Sequence, residues 1–170
     1  MKFTEIYQEL ANSTEVIRAL TANLSQEESQ SKPTPETWSI LEVVCHLYDE
    51  EREDFREHLD FILQRKDTEK WEVLEPEEWV ASRKYNEQNF EEMRMSFFEE
   101  RRKSLDWLID LANADWDITC ETRFGPISAG DMFASWAAHD NLHIRQLVEL
   151  KRSQIENLTH PYEINYAGNW

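Results

Sequence analysis

The chain has 170 residues, 40% apolar and 12% aromatic, enough to bury one sizeable core and close to the usual size of a single domain. Its 35 acidic residues outnumber 18 basic ones for a formal charge of -17, so the surface field repels phosphate backbones and anionic lipid headgroups, and neither nucleic acid nor membrane is expected as a partner. Only three glycines and five prolines accompany 31% charged residues, which favours long helices over the turn-rich chemistry of sandwiches and barrels.

No apolar run reaches the roughly 18 residues of a membrane span. Met1-Lys2-Phe3-Thr4-Glu5 enters an amphipathic pattern without the apolar stretch of a signal peptide, so a cytoplasmic location is expected. Cys45 and Cys120 form no CxxC or zinc-ribbon spacing and read as small hydrophobes rather than a bridge or a reactive thiol.

In chain order, Phe3, Ile6, Tyr7, Leu10, Thr14, Ile17 and Leu20 keep one apolar face through to about Ala22, which predicts a first helix. Leu24 to Pro35 breaks the pattern with two prolines and leaves room for a helical turn around Gln26 to Ser31. Trp38-Ser39-Ile40-Leu41-Glu42 is a helix start: Ser39 caps, Glu42 completes a capping box, and Trp38 can staple onto Val43. This second helix continues to about Gln64 with His46 two turns from its start, and its acids Asp49, Glu50, Glu51, Glu53, Asp54 and Glu57 read mostly as a solvated face.

From Arg65 to about Gln88 the periodicity is poor, with Trp71, Pro76, Trp79 and Tyr85 among charges. These roughly 24 residues exceed what a tight hairpin needs and can cross the length of a helix. Helices two and three are therefore expected to run parallel, joined by a crossover that can hold a helical turn around Glu77 to Arg83. The third helix is predicted from about Asn89 to Ala112, with Phe90, Met93, Phe97, Phe98, Leu105, Leu108, Ile109 and Leu111 inward and Arg101, Arg102 and Lys103 exposed. Asn113 to Pro126 can hold a short hairpin turning at Gly125-Pro126. Ser128 and Asp131 then repeat the capping device, with Ile127 stapling to Met132, and the fourth helix runs to about Ser153. The tail, through Tyr162 and Tyr166 to Trp170, is expected to fold back on the bundle or meet a neighbouring chain. The reading is all-α: one four-helix bundle domain over residues 1–170.

On the fourth helix, Met132, Trp136, His139, His143, Leu147 and Leu150 recur at steps of three or four, so two imidazoles occupy core-facing positions. HxxxH alone is weak, since about one chain in ten of this length with five histidines shows it by accident. His46 on the second helix supplies a third imidazole, and a bundle core is where facing helices hold a metal. Three imidazoles with an open fourth position describe a catalytic-type site, suited to zinc, nickel, iron or copper. Glu50, one turn after His46, can accept a hydrogen bond from an imidazole or from water on a metal, or is one more solvated acid. Asp140 and Gln146 flank the pair as candidate orienting groups or as ordinary rim residues, and Trp136 is read as a pocket wall or as core. His58 and His160 have no partner at useful spacing and read as surface.

The segments Trp38-Ser39-Ile40-Leu41-Glu42-Val43-Val44-Cys45-His46-Leu47 and His139-Asp140-Asn141-Leu142-His143-Ile144-Arg145-Gln146-Leu147 together resemble the DinB/YfiT-like family of bacterial four-helix metalloproteins over nearly the whole chain. The resemblance implies His46, His139 and His143 as ligands of a divalent metal, nickel or zinc foremost with iron or manganese as further options. It also implies an up-down-down-up topology and a homodimer. Some members are thiol-dependent transferases or isomerases using a low-molecular-weight thiol such as bacillithiol or mycothiol, and others are described as hydrolases. One departure is Leu142, where many members carry a further histidine.

Two functions follow as expectations. One is a metal-dependent enzyme, a thiol transferase or hydrolase, acting on a small electrophilic molecule through the open position. The other is a non-catalytic metal-binding stress-response or interaction module, against which three ligands argue, because structural zinc usually takes four. A ferritin-like di-iron site fails by count: it needs two ExxH motifs, and only Asp140-Asn141-Leu142-His143 comes close.

Overall fold

In the computed structural model, which describes residues 1–64, 74–123 and 125–168, the helical periodicities become α1 (Phe3–Leu20), α2 (Gln26–Gln30), α3 (Ile40–Asp49), α4 (Arg56–Leu63), α5 (Pro76–Ser82), α6 (Phe90–Asp110) and α7 (Ala129–Thr159). The one sheet among the described residues is a hairpin, β1 (Thr119–Thr122) against β2 (Gly125–Ser128). One capping device starts three of the helices. Ser25, Ser39 and Ser128 each accept from the backbone N–H three residues on, and Glu28, Glu42 and Asp131 accept in return from the cap's own N–H. The expected starts of helices two and four are confirmed, and α7 runs six residues past Ser153, to Thr159.

Side-chain contacts give the directions of the helices. Ser39 donates to Asn86, just before α6, while Arg101 of α6 pairs with Glu51 and Arg56 donates to Ser104. The second and third long helices therefore run parallel. Phe3 packs on Phe133 and Ser13 donates to Asp140, so α1 and α7 are also parallel; His46 meets His139 and Glu51 meets Trp136, which sets α7 against α3. The result is the up-down-down-up bundle with a crossover between helices two and three. Residues 65–73 of that crossover, Trp71 among them, lie outside the described residues. Its later part forms α5, where a helical turn around Glu77 to Arg83 was expected, and Arg83 and Tyr85 tie it to Asp49 at 2.6 and 2.7 Å.

Between α3 and α4 the chain makes a π turn, Glu50–Phe55, where the sequence predicts an unbroken α-helix. A π turn brings residues five apart onto one face, and both Glu50 and Phe55 are buried. Asp49 and Glu51 are buried as well, so the start of the acidic run faces inward instead of forming a solvated surface. Arg101, expected to be exposed, is only 1% accessible.

The core has two apolar clusters. One gathers Ile17, Leu41, Val44, Phe97 and Leu147; the other gathers Leu10, Leu59, Leu108, Phe133 and Trp136. On every long helix buried polar residues stand between these positions: Ser13 and Thr14, His46, Asp49, Glu50 and Glu51, Arg101, and Asp140 and His143. A polar layer thus crosses the middle of the bundle, and the candidate site lies in it. Elsewhere, Thr122 pairs with Gly125 and Glu121 with Pro126, so Gly125-Pro126 opens the second strand rather than forming the turn, and Gly125 takes a φ of +102° that favours glycine. In the described part of the tail Tyr162 and Tyr166 are exposed rather than packed on the bundle, and Trp170 lies outside the described residues. None of the described helices is long and apolar enough to cross a membrane.

Candidate metal centre

His46 reaches the polar layer from α3, while His139 and His143, one turn apart, reach it from α7. Their Nε2 atoms converge. His139 Nε2 lies 3.1 Å from His143 Nε2 and 3.4 Å from His46 Nε2, and one ring nitrogen from each histidine falls within 4.8 Å of the other two. Imidazole nitrogens bound tetrahedrally at about 2.0–2.1 Å from one cation stand about 3.3–3.4 Å apart, close to this spacing.

The protonation states fit the same use. Burial, reinforced by the neighbouring imidazoles, pushes His46 down to about 2, and burial with the adjacent His143 pushes His139 down to about 4. Burial also lowers His143, opposed by Gln146 and Asp140. All three rings are therefore neutral at pH 7, as metal ligands must be. Gln146 Oε1 lies 2.8 Å from His143 Nδ1; an amide oxygen only accepts, so Nδ1 carries the proton and Nε2 the lone pair. Three neutral ring nitrogens directed at one point, His143 Nε2 bearing its lone pair, are the donor set of a divalent cation. The residues present fit a divalent metal.

Around the triad, Glu50 and Phe55 both flank His139, with Glu50 Oε2 4.0 Å from its Nε2 and the Phe55 ring centre 4.9 Å from its own. The π turn makes that double approach possible. Burial, then the charge and hydrogen bond of Asp54, then Asp49, hold the Glu50 carboxyl well above the usual carboxylate range. Asp54 also meets His58 Nδ1 at 2.7 Å, and His58 is buried, so it belongs to the interior and not to the surface as its spacing suggested. His160 is exposed, as expected.

Asp140 is fully buried and is no rim residue. Its two oxygens take both ends of the Arg101 guanidinium at 2.6 and 2.9 Å, and it also accepts from Ser13. Arg101 reaches Glu51 at 2.9 Å, Thr14 at 3.2 Å and the Leu10 carbonyl at 3.3 Å, and Trp136 Nε1 donates to Glu51 at 3.1 Å. This network ties together all four long helices beside His139. Trp136, stacked on Phe55, lies in the core and does not line the cleft.

The wall that sequence reading missed is Trp38. Its ring meets His46 edge-on at 4.9 Å and lies parallel to His143 at 6.3 Å. The missed signals were local: Trp38 immediately precedes the Ser39 cap, Arg101 continues the stripe of Phe97 and Leu108, and Asp140 continues that of Trp136 and His143. The triad opens into a cleft of about 530 Å³, with His46, His139 and His143 on its floor and Trp38, Glu50, Leu142 and Gln146 around them. Leu142, at the departure from the family pattern, is 65% exposed on the rim.

No curated protein matches the chain. Among solved structures it is similar to one described as "YfiT from Bacillus subtilis is a probable metal-dependent hydrolase with an unusual four-helix bundle topology". The two share 14% identity and superpose with a TM-score of 0.77 over 90% of this chain and 87% of that one, a likeness of fold. The sequence profile of the DinB superfamily matches residues 9–147, and the chain belongs to that superfamily.

Proposed function

We propose that the protein is a divalent-metal-dependent enzyme, a hydrolase or thiol-dependent transferase, acting on a small electrophilic molecule in the cleft over His46, His139 and His143. The observation that carries this reading is the convergence of three neutral imidazole nitrogens in an open cleft. The description of the similar structure as a probable metal-dependent hydrolase supports the same class. When bound, a divalent cation supplies Lewis acidity and makes a nucleophile available at neutral pH.

The chain's own residues do the rest. Gln146 holds His143 in the ligating tautomer. Glu50, its carboxyl raised by burial and by Asp54, stands at the cleft edge of His139, where it can hold a proton or take one from a nucleophile. Trp38 and Phe55 exclude water from the ligand rings. Three protein ligands, rather than four, favour an enzyme over a module in which the metal is a structural pin.

The test is elemental analysis of protein purified without an affinity tag, alongside His143→Ala. About one metal per chain is expected in the parent and a sharp loss in the variant, with the helical spectrum kept. Full metal retention by His143→Ala would refute the ligand assignment. A metal that sets thermal stability but takes no added ligand would favour the structural pin.

A further inference from the structure

The cleft over the triad does not end at Trp38. A second lobe of about 680 Å³ lies beyond it and shares Trp38, His143, Gln146 and Glu149 with the first. A molecule whose reacting atom faces the histidines can extend an arm past the indole into this outer lobe. Besides Glu50, whose carboxyl is raised, the two lobes together carry four carboxylates, Glu36, Glu77, Glu149 and Glu156, but among the described lining residues only two cations, Arg145 and Arg152.

Each of those arginines is engaged by an acid of the same rim: Arg145 with Glu149 at 2.9 Å and Arg152 with Glu156 at 3.2 Å. Glu36 and Glu77, one at the outer lobe and one at the inner, are exposed and have no ion pair among the described residues. Trp38, half-buried between the lobes, adds an aromatic surface of the kind that attracts cations. The net charge of -17 adds a long-range field of the same sign.

We propose that the cleft selects substrates or thiols bearing a positive charge, an ammonium or amidinium on the arm that passes Trp38, and rejects polyanionic thiols. This rests on the metal-site reading above and deepens it: the electron-rich reacting atom goes to the three histidines and the cationic arm to Glu36, Glu77 and the indole. A thiol with several carboxylates would put like charge against that rim.

The test uses the full chain loaded with one equivalent of cobalt(II), whose absorption spectrum reports thiol ligation without any turnover. Three short thiols are titrated at low ionic strength: cysteamine with an ammonium, 2-mercaptoethanol with no charge, and 3-mercaptopropionate with a carboxylate. The affinity ratio of cysteamine to 3-mercaptopropionate is measured in the parent and in Glu36→Gln/Glu77→Gln, so that the thiols' own acidities cancel. Both substitutions are on exposed side chains and leave the core untouched.

The parent's ratio is expected to exceed that of the double variant by at least tenfold, and the excess to shrink in 0.5 M salt as screening shortens the reach of the rim. Equal ratios in the two proteins, with 2-mercaptoethanol bound by both, would overturn the charge selection and leave the open site standing. Failure of all three thiols to bind would overturn the open site, and this proposal with it.

Discussion

Replacing Arg101 with Met removes the cation in the polar layer that is paired to two buried carboxylates, Glu51 and Asp140. The methionine fills much of the space, so the loss is electrostatic rather than a cavity. Deleting one partner of a buried ion pair costs about 3–5 kcal/mol, and here two carboxylates lose their partner, which places the variant at the upper end. Against a typical total of about 5–15 kcal/mol this is a large share. It corresponds to a fall of about 10–20 °C in Tm for a chain of this size.

The assay is urea unfolding of the metal-free protein at pH 7.5 and pH 5. An unpaired buried carboxylate is favoured in its protonated form, so the deficit of Arg101→Met relative to the parent should narrow at pH 5. Adding Glu51→Gln and Asp140→Asn to the same chain should recover most of the loss, because neutral groups that fill the space of a buried ionic cluster are tolerated. A loss under about 1 kcal/mol at pH 7.5, or no recovery in the triple variant, would show that the network does not carry the weight assigned to it.

Three further outcomes are expected. Gln146→Leu keeps the three ligands but frees the His143 tautomer, and should weaken metal binding about 10–100-fold by competition with a chelator of known affinity; unchanged affinity would remove Gln146 from the site. In the metal-free protein, His46 and His139 bind protons less readily than in the unfolded chain. Each therefore removes about 1.4 kcal/mol of stability per pH unit as pH falls below about 6.5, while Glu50, its carboxyl raised, works in the opposite direction over the same range. His46→Leu should reduce the slope of stability against pH by about 1.4 kcal/mol per unit relative to the parent between about pH 6 and 5, read by urea unfolding at stepped pH, and a slope unchanged by the substitution would contradict it. Cys45 is buried, and burial with Asp49 and Glu42 nearby pushes its thiol up to about 12. It should resist alkylation in the folded protein at pH 8 and react only after unfolding, as peptide mapping would show.

Sequence by itself determined the features that depend on neighbours along the chain. Apolar spacing marked all four long helices, serine caps with an acid three residues on marked two of their starts, and the length of chain between Leu63 and Phe90 implied the parallel crossover. The histidines were legible because His139 and His143 stand in an apolar stripe and His46 follows a recognisable helix start.

What only the tertiary structure decided was the fate of charges that look alike along the chain. Arg101 and Arg102 are adjacent, yet one is at the centre of the bundle and the other in solvent; Glu50 and Glu51 face the histidines and Arg101 where a solvated acidic face was expected. The physical reason is that a charge is buried only when partners from distant segments arrive to offset its desolvation. Asp140 has Ser13 from α1 and Arg101 from α6, and no local pattern announces contacts across 127 and 39 residues. The π turn that brings Glu50 and Phe55 together on His139 is likewise set by packing against α6 and α7, and leaves no mark in the periodicity of its own six residues.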